Sequence, residues 1–192
     1  MTTKIAAAAP PSTLSQLVLT WVPFSLGMTF VILGAVIAPD VPHARTQYSI
    51  RLALLLAAPA LFLFARDFRR RELGALWKSY WTAAFAAYAF HLWYGYEIMF
   101  RGDWAAVVAS QGEATALINL AITALWAVDI GCAWLDLKGR IVDIIRAVAH
   151  VGLLAAAVMA TMLFFRNNIA AGIGGIVTLA AVAGLIQRLR TT

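Results

Sequence analysis

Six long stretches of apolar residues follow one another along the chain, and short polar segments separate them. A transmembrane helix needs about 20 mostly apolar residues, and each stretch is close to that length. The pattern therefore predicts an all-α integral membrane protein, a bundle of about six transmembrane helices with short loops. The predicted spans, with ends accurate to about 2–4 residues, are Leu14–Ala38, Gln47–Ala65, from near Trp77 or Ser79 to near Met99, Ala114–Leu135, Ile141–Phe165 and Ile169–Ile186.

The segments between these spans define the predicted organisation. Residues 1–13 are expected to be a flexible N-terminal tail, and residues 14–192 to be a single transmembrane helical domain. Pro39 and Pro42 are expected to stop the first helix, because proline cannot donate the backbone hydrogen bond that a helix interior requires. The segment Pro39–Thr46 is therefore predicted to be a linker, as is Arg101–Glu113.

The composition supports lipid as the solvent of this chain. Hydrophobic residues make up 62% of the sequence and charged residues 12%, whereas a soluble domain carries about 25% charged residues. The net charge of +6 does not indicate nucleic-acid binding, because the loops are too short to build a platform outside the membrane. The single cysteine, Cys132, excludes an internal disulfide and a multi-cysteine metal site.

The distribution of lysine and arginine predicts the orientation. In the six-span arrangement, 11 basic residues fall on one side and four on the other. Basic loops remain in the cytoplasm, so we expect a multi-pass protein of the cell inner membrane with both termini cytoplasmic. The first set is Lys4, Arg66, Arg69, Arg70, Arg71, Lys78, Lys138, Arg140, Arg146, Arg188 and Arg190, and the second is Arg45, Arg51, Arg101 and Arg166.

Two consecutive spans carry polar residues that lipid makes costly. Asn119 and Asp129 fall within one arc of about 120° on the fourth span, and Arg146 and His150 share a face of the fifth. Asp129 and His150 are predicted at similar depths, roughly 9 and 13 Å from the same end. We expect an Asp129–His150 hydrogen bond, with Arg146 as a rival partner for the carboxylate. The cluster is either a structural clasp that fixes helix register or a proton- or ion-handling site.

A second hypothesis pairs His91 with His150. Two histidines on different helices can supply the two axial nitrogens of haem b. The alternative for each residue is a hydrogen-bonded core histidine, and the sequence contains no paired-histidine spacing of the kind found in two-haem cytochromes.

Two weaker patterns complete the list of candidate sites. Four carboxylates and a histidine, namely Asp40, His43, Glu97, Asp103 and Glu113, gather at the predicted outer rim. Oxygen ligands of this kind bind divalent cations, but the residues lack ligand spacing, so a solvated acidic rim is favoured and no metal site is assigned. The small-residue run AAGIGGI in the sixth span, followed by Ala180 and Gly184, is typical of close helix packing, and Ala171 and Gly175 form one small-xxx-small pair within it.

The sequence contains no HExxH, GxSxG, CxxC or phosphate-loop motif, and a redox role would require a bound haem. Three hypotheses about function remain. The first is a non-catalytic or accessory subunit of a larger membrane complex, whose partners are the bilayer and other membrane subunits or a second copy. The second is a b-type haem electron carrier or quinone-facing membrane anchor. The third is a small proton-coupled transporter.

Overall fold

The computed structural model describes residues 13–68, 73–164 and 168–191. Within those ranges it contains seven α-helices and no β-strand. The predicted N-terminal tail, up to residue 12, and the three arginines at 69–71 lie outside the described residues. The helices are α1 (Thr13–Leu33), α2 (Val41–Asp67), α3 (Ala75–Trp93), α4 (Trp104–Gln111), α5 (Glu113–Trp134), α6 (Arg140–Val158) and α7 (Asn168–Thr191).

The prediction of an all-α membrane bundle is confirmed. Among the described residues, five helical segments are long and apolar enough to cross a membrane: α1 with its short extension to Ile37, α2, α5, α6 with its extension to Thr161, and α7. The third predicted span forms α3, which is not among the five. Helix α3 packs against α1, α2 and α5 and buries Trp77, Ser79 and Trp81. Because neighbouring helices shield much of its surface, α3 can carry small, polar and aromatic residues that a lipid-facing helix would not.

The predicted Pro39–Thr46 linker is shorter than expected, because α2 begins at Val41. The carboxylate of Asp40 accepts a hydrogen bond from the backbone N–H of His43 (3.0 Å), and Pro42 occupies the first turn. Proline is favoured there because the N–H that it lacks would have no partner within the helix. Pro42 therefore helps to start α2, and the rest of the predicted linker is helical.

The predicted Arg101–Glu113 linker contains the short helix α4, which the sequence pattern did not reveal. The Asp103 carboxylate caps this helix by accepting hydrogen bonds from the backbone N–H groups of Ala105 (2.9 Å) and Ala106 (3.3 Å). Gly112 (φ 84°) then separates α4 from α5. An eight-residue helix lacks the apolar periodicity over several turns that makes longer helices recognisable.

Helix α7 packs closely along α2, but not through the predicted small-residue pair. A Cβ at Gly175 would meet nothing within 4 Å, whereas a Cβ at Gly184 would overlap the carbonyl oxygen of Phe62. The buried residues of α7 include Gly174, Ala181 and Gly184, while Ala171 is exposed. The predicted close packing of the small-residue run is therefore confirmed at Gly174 and Gly184, whereas the pair Ala171 and Gly175 lies on another part of the helix surface.

An exposed ion pair ties the loop after α5 to the start of α3. The Nζ atom of Lys78 lies 2.6 Å from a carboxylate oxygen of Asp136. The hydrogen bond from Lys78 and the positive charge of its ammonium group lower the pKa of the Asp136 carboxyl, with a smaller contribution from Lys138. The neighbouring indole N–H of Trp134 donates to the hydroxyl of Thr82 (2.9 Å). These contacts hold the α5–α6 connection against α3.

Candidate functional site

The centre of the bundle contains a buried ion pair between α5 and α6. The Nε of Arg146 lies 2.9 Å from one carboxylate oxygen of Asp129. The other oxygen accepts a hydrogen bond from the indole N–H of Trp81 on α3 (3.0 Å). Asp129 is fully buried, and the Arg146 side chain is 15% exposed. The carboxylate therefore joins three helices, and each of its oxygens has a partner.

His150 lies beside this pair with both ring nitrogens in hydrogen bonds. Its Nδ1 is 2.7 Å from the carbonyl oxygen of Arg146, and its Nε2 is 3.1 Å from the indole nitrogen of Trp77. A carbonyl oxygen only accepts and an indole N–H only donates. The two contacts therefore assign the neutral tautomer of His150, with the proton on Nδ1 and a lone pair on Nε2.

The two faces of the His150 ring are covered by aromatic side chains. The Phe64 and Trp81 rings each stack on the imidazole with centroids 3.9 Å away. Arg146 in turn lies over the ring of Trp77, with its guanidinium carbon 5.0 Å from the centroid. We call Asp129, Arg146, His150, Trp77 and Trp81 the polar clasp. It connects α3, α5 and α6, and the ring of Phe64 on α2 packs against its imidazole.

The predicted hydrogen bond between Asp129 and His150 does not form. The nearest carboxylate oxygen is 3.8 Å from Nδ1 of His150, which is too long for a hydrogen bond. The Arg146 guanidinium pairs with the carboxylate instead, which was the alternative prediction. The imidazole consequently turns its nitrogens toward the backbone of α6 and toward Trp77.

Asn119 lies apart from the polar clasp. Its side-chain amide donates to the side-chain oxygen of Gln111 on α4 (3.1 Å), and it is only partly buried. The intervening polar residue on that face, Thr123, donates to the backbone oxygen of Asn119 (2.6 Å). Asn119 therefore ties α5 to α4, nearly three helical turns from Asp129.

The pairing of His91 with His150 as ligands of one haem does not fit this structure. Three aromatic rings lie one after another between the two histidines, with successive centroids 3.9 to 5.9 Å apart; they belong to Tyr88, Trp126 and Trp81. His91 itself is held by the backbone oxygen of Thr46, 2.9 Å from its Nδ1. A macrocycle would have to displace this aromatic column, and Nε2 of His150 would have to release Trp77.

The acidic residues of the predicted outer rim do not come together. Asp40 and Asp103 serve as helix caps, and His43 contacts the side chain of Gln47 (2.7 Å). Throughout residues 13–68, 73–164 and 168–191, no three side chains of histidine, cysteine, aspartate or glutamate are close enough to hold a metal ion. Asp40 and Asp103 each act locally, at the start of their own helix.

The two indole donors of the polar clasp were not identified from the sequence. Trp77 and Trp81 are four residues apart on α3, so they share one face of the helix, and both are almost completely buried. A buried indole N–H usually has a hydrogen-bond partner, and this rule could have linked them to the polar residues of α5 and α6. Trp126 differs, because its buried N–H has no hydrogen-bond partner among the described residues.

No protein-family model matches this chain, and comparisons with curated proteins and with solved structures give no match. The site geometry is thus the basis for any statement about function.

Proposed function

We propose that this chain is a non-catalytic integral-membrane subunit of a larger membrane complex, and that the polar clasp holds its helices in register. The observation that carries this proposal is the closure of the clasp. Asp129 is 0% exposed and His150 1% exposed, and the carboxylate oxygens and imidazole nitrogens all have partners within the protein. A buried network with satisfied polar groups rigidifies a core, and here only the Arg146 side chain, 15% exposed, reaches the surface. A substrate or proton site must be reached from outside.

The subunit role is supported by the position of α1. In the most apolar part of this helix, only 11% of the residues are buried within the chain, compared with 56% in α2. Large apolar side chains such as Leu26 (67% exposed) and Phe30 (61% exposed) point away from the bundle. A membrane partner could pack along this helix without rearranging the rest of the fold. In this proposal α3, shielded by its neighbouring helices, is a sixth crossing, and both termini lie in the cytoplasm, following the basic residues.

Site-specific photo-crosslinking in native membranes tests the subunit role. A benzophenone amino acid at Leu26 is expected to give a discrete adduct of a partner chain or a second copy. Leu179, which is 68% exposed on α7, is the matched control position. Absence of any discrete adduct from Leu26, together with elution of the purified protein as a lone chain, would contradict the proposal.

The proton-coupled transporter is the second candidate function, because three ionisable side chains meet inside the membrane-spanning part of the chain. Proteoliposomes with a pH-sensitive dye distinguish the two proposals. If the clasp is structural, vesicles that contain the wild-type protein should have the same proton permeability as vesicles without protein. A proton flux that disappears in a folded Asp129→Asn variant would instead support transport.

A further inference from the structure

A groove of about 220 Å³ opens on the surface of the bundle between α2, α6 and α7. It arises because α2 and α7 pack closely along each other while α6 contacts both of them much less. Small side chains, Ala65, Ala147 and Ala181, leave the space between the three helices. The groove is thus a concavity between helices on the outer surface of the bundle.

The lining of the groove is almost entirely apolar. Its walls include Phe64, Phe68, Val151, Leu154 and Leu185. His150 also reaches the groove, but both of its nitrogens are hydrogen-bonded to Arg146 and Trp77 within the clasp. The floor therefore offers no imidazole nitrogen to a polar ligand, and a hydrocarbon chain is the chemistry that matches it.

The groove runs along α6, and an arginine lies at one end of it. Its residues on α6 run from Ala147 to Leu154, which corresponds to roughly 10 Å along the helix axis. Arg188 lines the groove near the end of α7, and a second arginine, Arg190, follows it in the last turn. An apolar channel that ends at a guanidinium matches the shape and charge of a phospholipid, with an acyl chain inside and an anionic headgroup at the arginine.

We propose that this groove holds the headgroup-proximal part of one acyl chain of an anionic phospholipid, with the headgroup phosphate on Arg188. Basic side chains near a membrane surface attract anionic lipids, and Arg188 adds the forked guanidinium geometry that suits phosphate. The bound lipid fills the gap that α6 leaves against α2 and α7, and it covers the outer side of the polar clasp at His150.

Native mass spectrometry of the full chain tests this proposal. The protein is released from nanodiscs containing equal amounts of phosphatidylglycerol and phosphatidylcholine, and the retained lipid is identified by its mass. One phosphatidylglycerol per chain is the expected result. Equal retention of both lipids, retention of a quinone, or no retained lipid would overturn the proposal.

Two variants locate the lipid on the chain. Val151 is 62% exposed on the wall of the groove, so Val151→Phe should fill the space without disturbing the core and should abolish retention. Arg188→Gln should reduce the preference for phosphatidylglycerol about fivefold, whereas Arg190→Gln, on the same helix but outside the groove lining, should leave it unchanged. Melting curves verify the fold of each variant. Wild-type retention in folded Val151→Phe would overturn the assignment even if Arg188→Gln failed to fold.

Discussion

Replacing Arg146 with methionine should strongly destabilise the protein, because it removes the cation that compensates the fully buried Asp129 carboxylate. The Trp81 hydrogen bond would remain, but the charge would have no counter-ion. Breaking a buried ion pair by removing one partner costs about 3–5 kcal/mol. An ordinary interhelical hydrogen bond within a membrane contributes only about 0.6 kcal/mol. The measured loss of stability therefore distinguishes a broken buried ion pair from a lost interhelical hydrogen bond.

The double variant Asp129→Leu/Arg146→Met removes both charges and should be less destabilising than Arg146→Met alone. Apolar residues of similar volume can replace a buried ion pair at little or no cost. The remaining penalty is the unpaired indole N–H of Trp81, about 1–3 kcal/mol. The double variant should therefore recover stability that the single variant loses.

Reversible unfolding in mixed micelles, followed by tryptophan fluorescence, provides the free energies of unfolding. Three of the seven tryptophans, Trp77, Trp81 and Trp126, are buried in the core, so a large part of the emission reports on the region around the clasp. Asp143→Asn is the matched control, since Asp143 is exposed on the same helix, and it should change the free energy by less than about 0.5 kcal/mol. A cost below about 1 kcal/mol for Arg146→Met would refute the reasoning, as would a double variant less stable than the single one.

Three further predictions concern the contacts around the clasp and the helix packing. Trp81→Phe should cost about 1–3 kcal/mol because Asp129 loses a donor. Trp126→Phe removes a buried N–H that has no partner within the described part of the chain, and it should cost clearly less in the same unfolding assay. Gly184→Ala should destabilise the α2–α7 contact by about 1–3 kcal/mol through overpacking, and Gly175→Ala should not lower the melting temperature. The ion pair of Asp136 with α3 lowers the pKa of its carboxyl, so its contribution to stability is present above about pH 3.9 and is lost as the pH falls through the lowered value. The acid-induced decrease in melting temperature should be smaller in Asp136→Asn, and an identical decrease in both proteins would contradict that assignment.

The long apolar stretches were sufficient to predict most of the fold. The predicted span Ala114–Leu135 corresponds to α5, Glu113–Trp134, within one residue at each end. The pattern failed where local capping, and not the run of apolar residues, sets the start of a helix. Asp40 and Pro42 start α2 through local capping, which a search for apolar residues alone does not detect.

The candidate site was predicted in part. The high cost of burying ionisable groups in a membrane correctly indicated that Asp129 and His150 would turn inward, and Arg146 was expected only as a rival partner of the carboxylate. The hydrogen-bond partners could not be assigned from helical periodicity. Periodicity shows which residues share a face of one helix, but not how the neighbouring helix is rotated about its own axis. Trp77 and Trp81 became part of the site only through the packing of α3, and that same packing placed three aromatic rings between His91 and His150.

Hydrogen–deuterium exchange of the tryptophan indole N–H groups tests the closure of the polar clasp most directly. In isotope-labelled protein in micelles, the N–H of Trp81, which is 0% exposed and bonded to Asp129, should remain protected for hours after transfer to D₂O. The N–H of Trp104, on the exposed helix α4 and 43% exposed, should exchange at once. Exchange of Trp81 as fast as that of Trp104 would show that water reaches Asp129, and would contradict a sealed structural role.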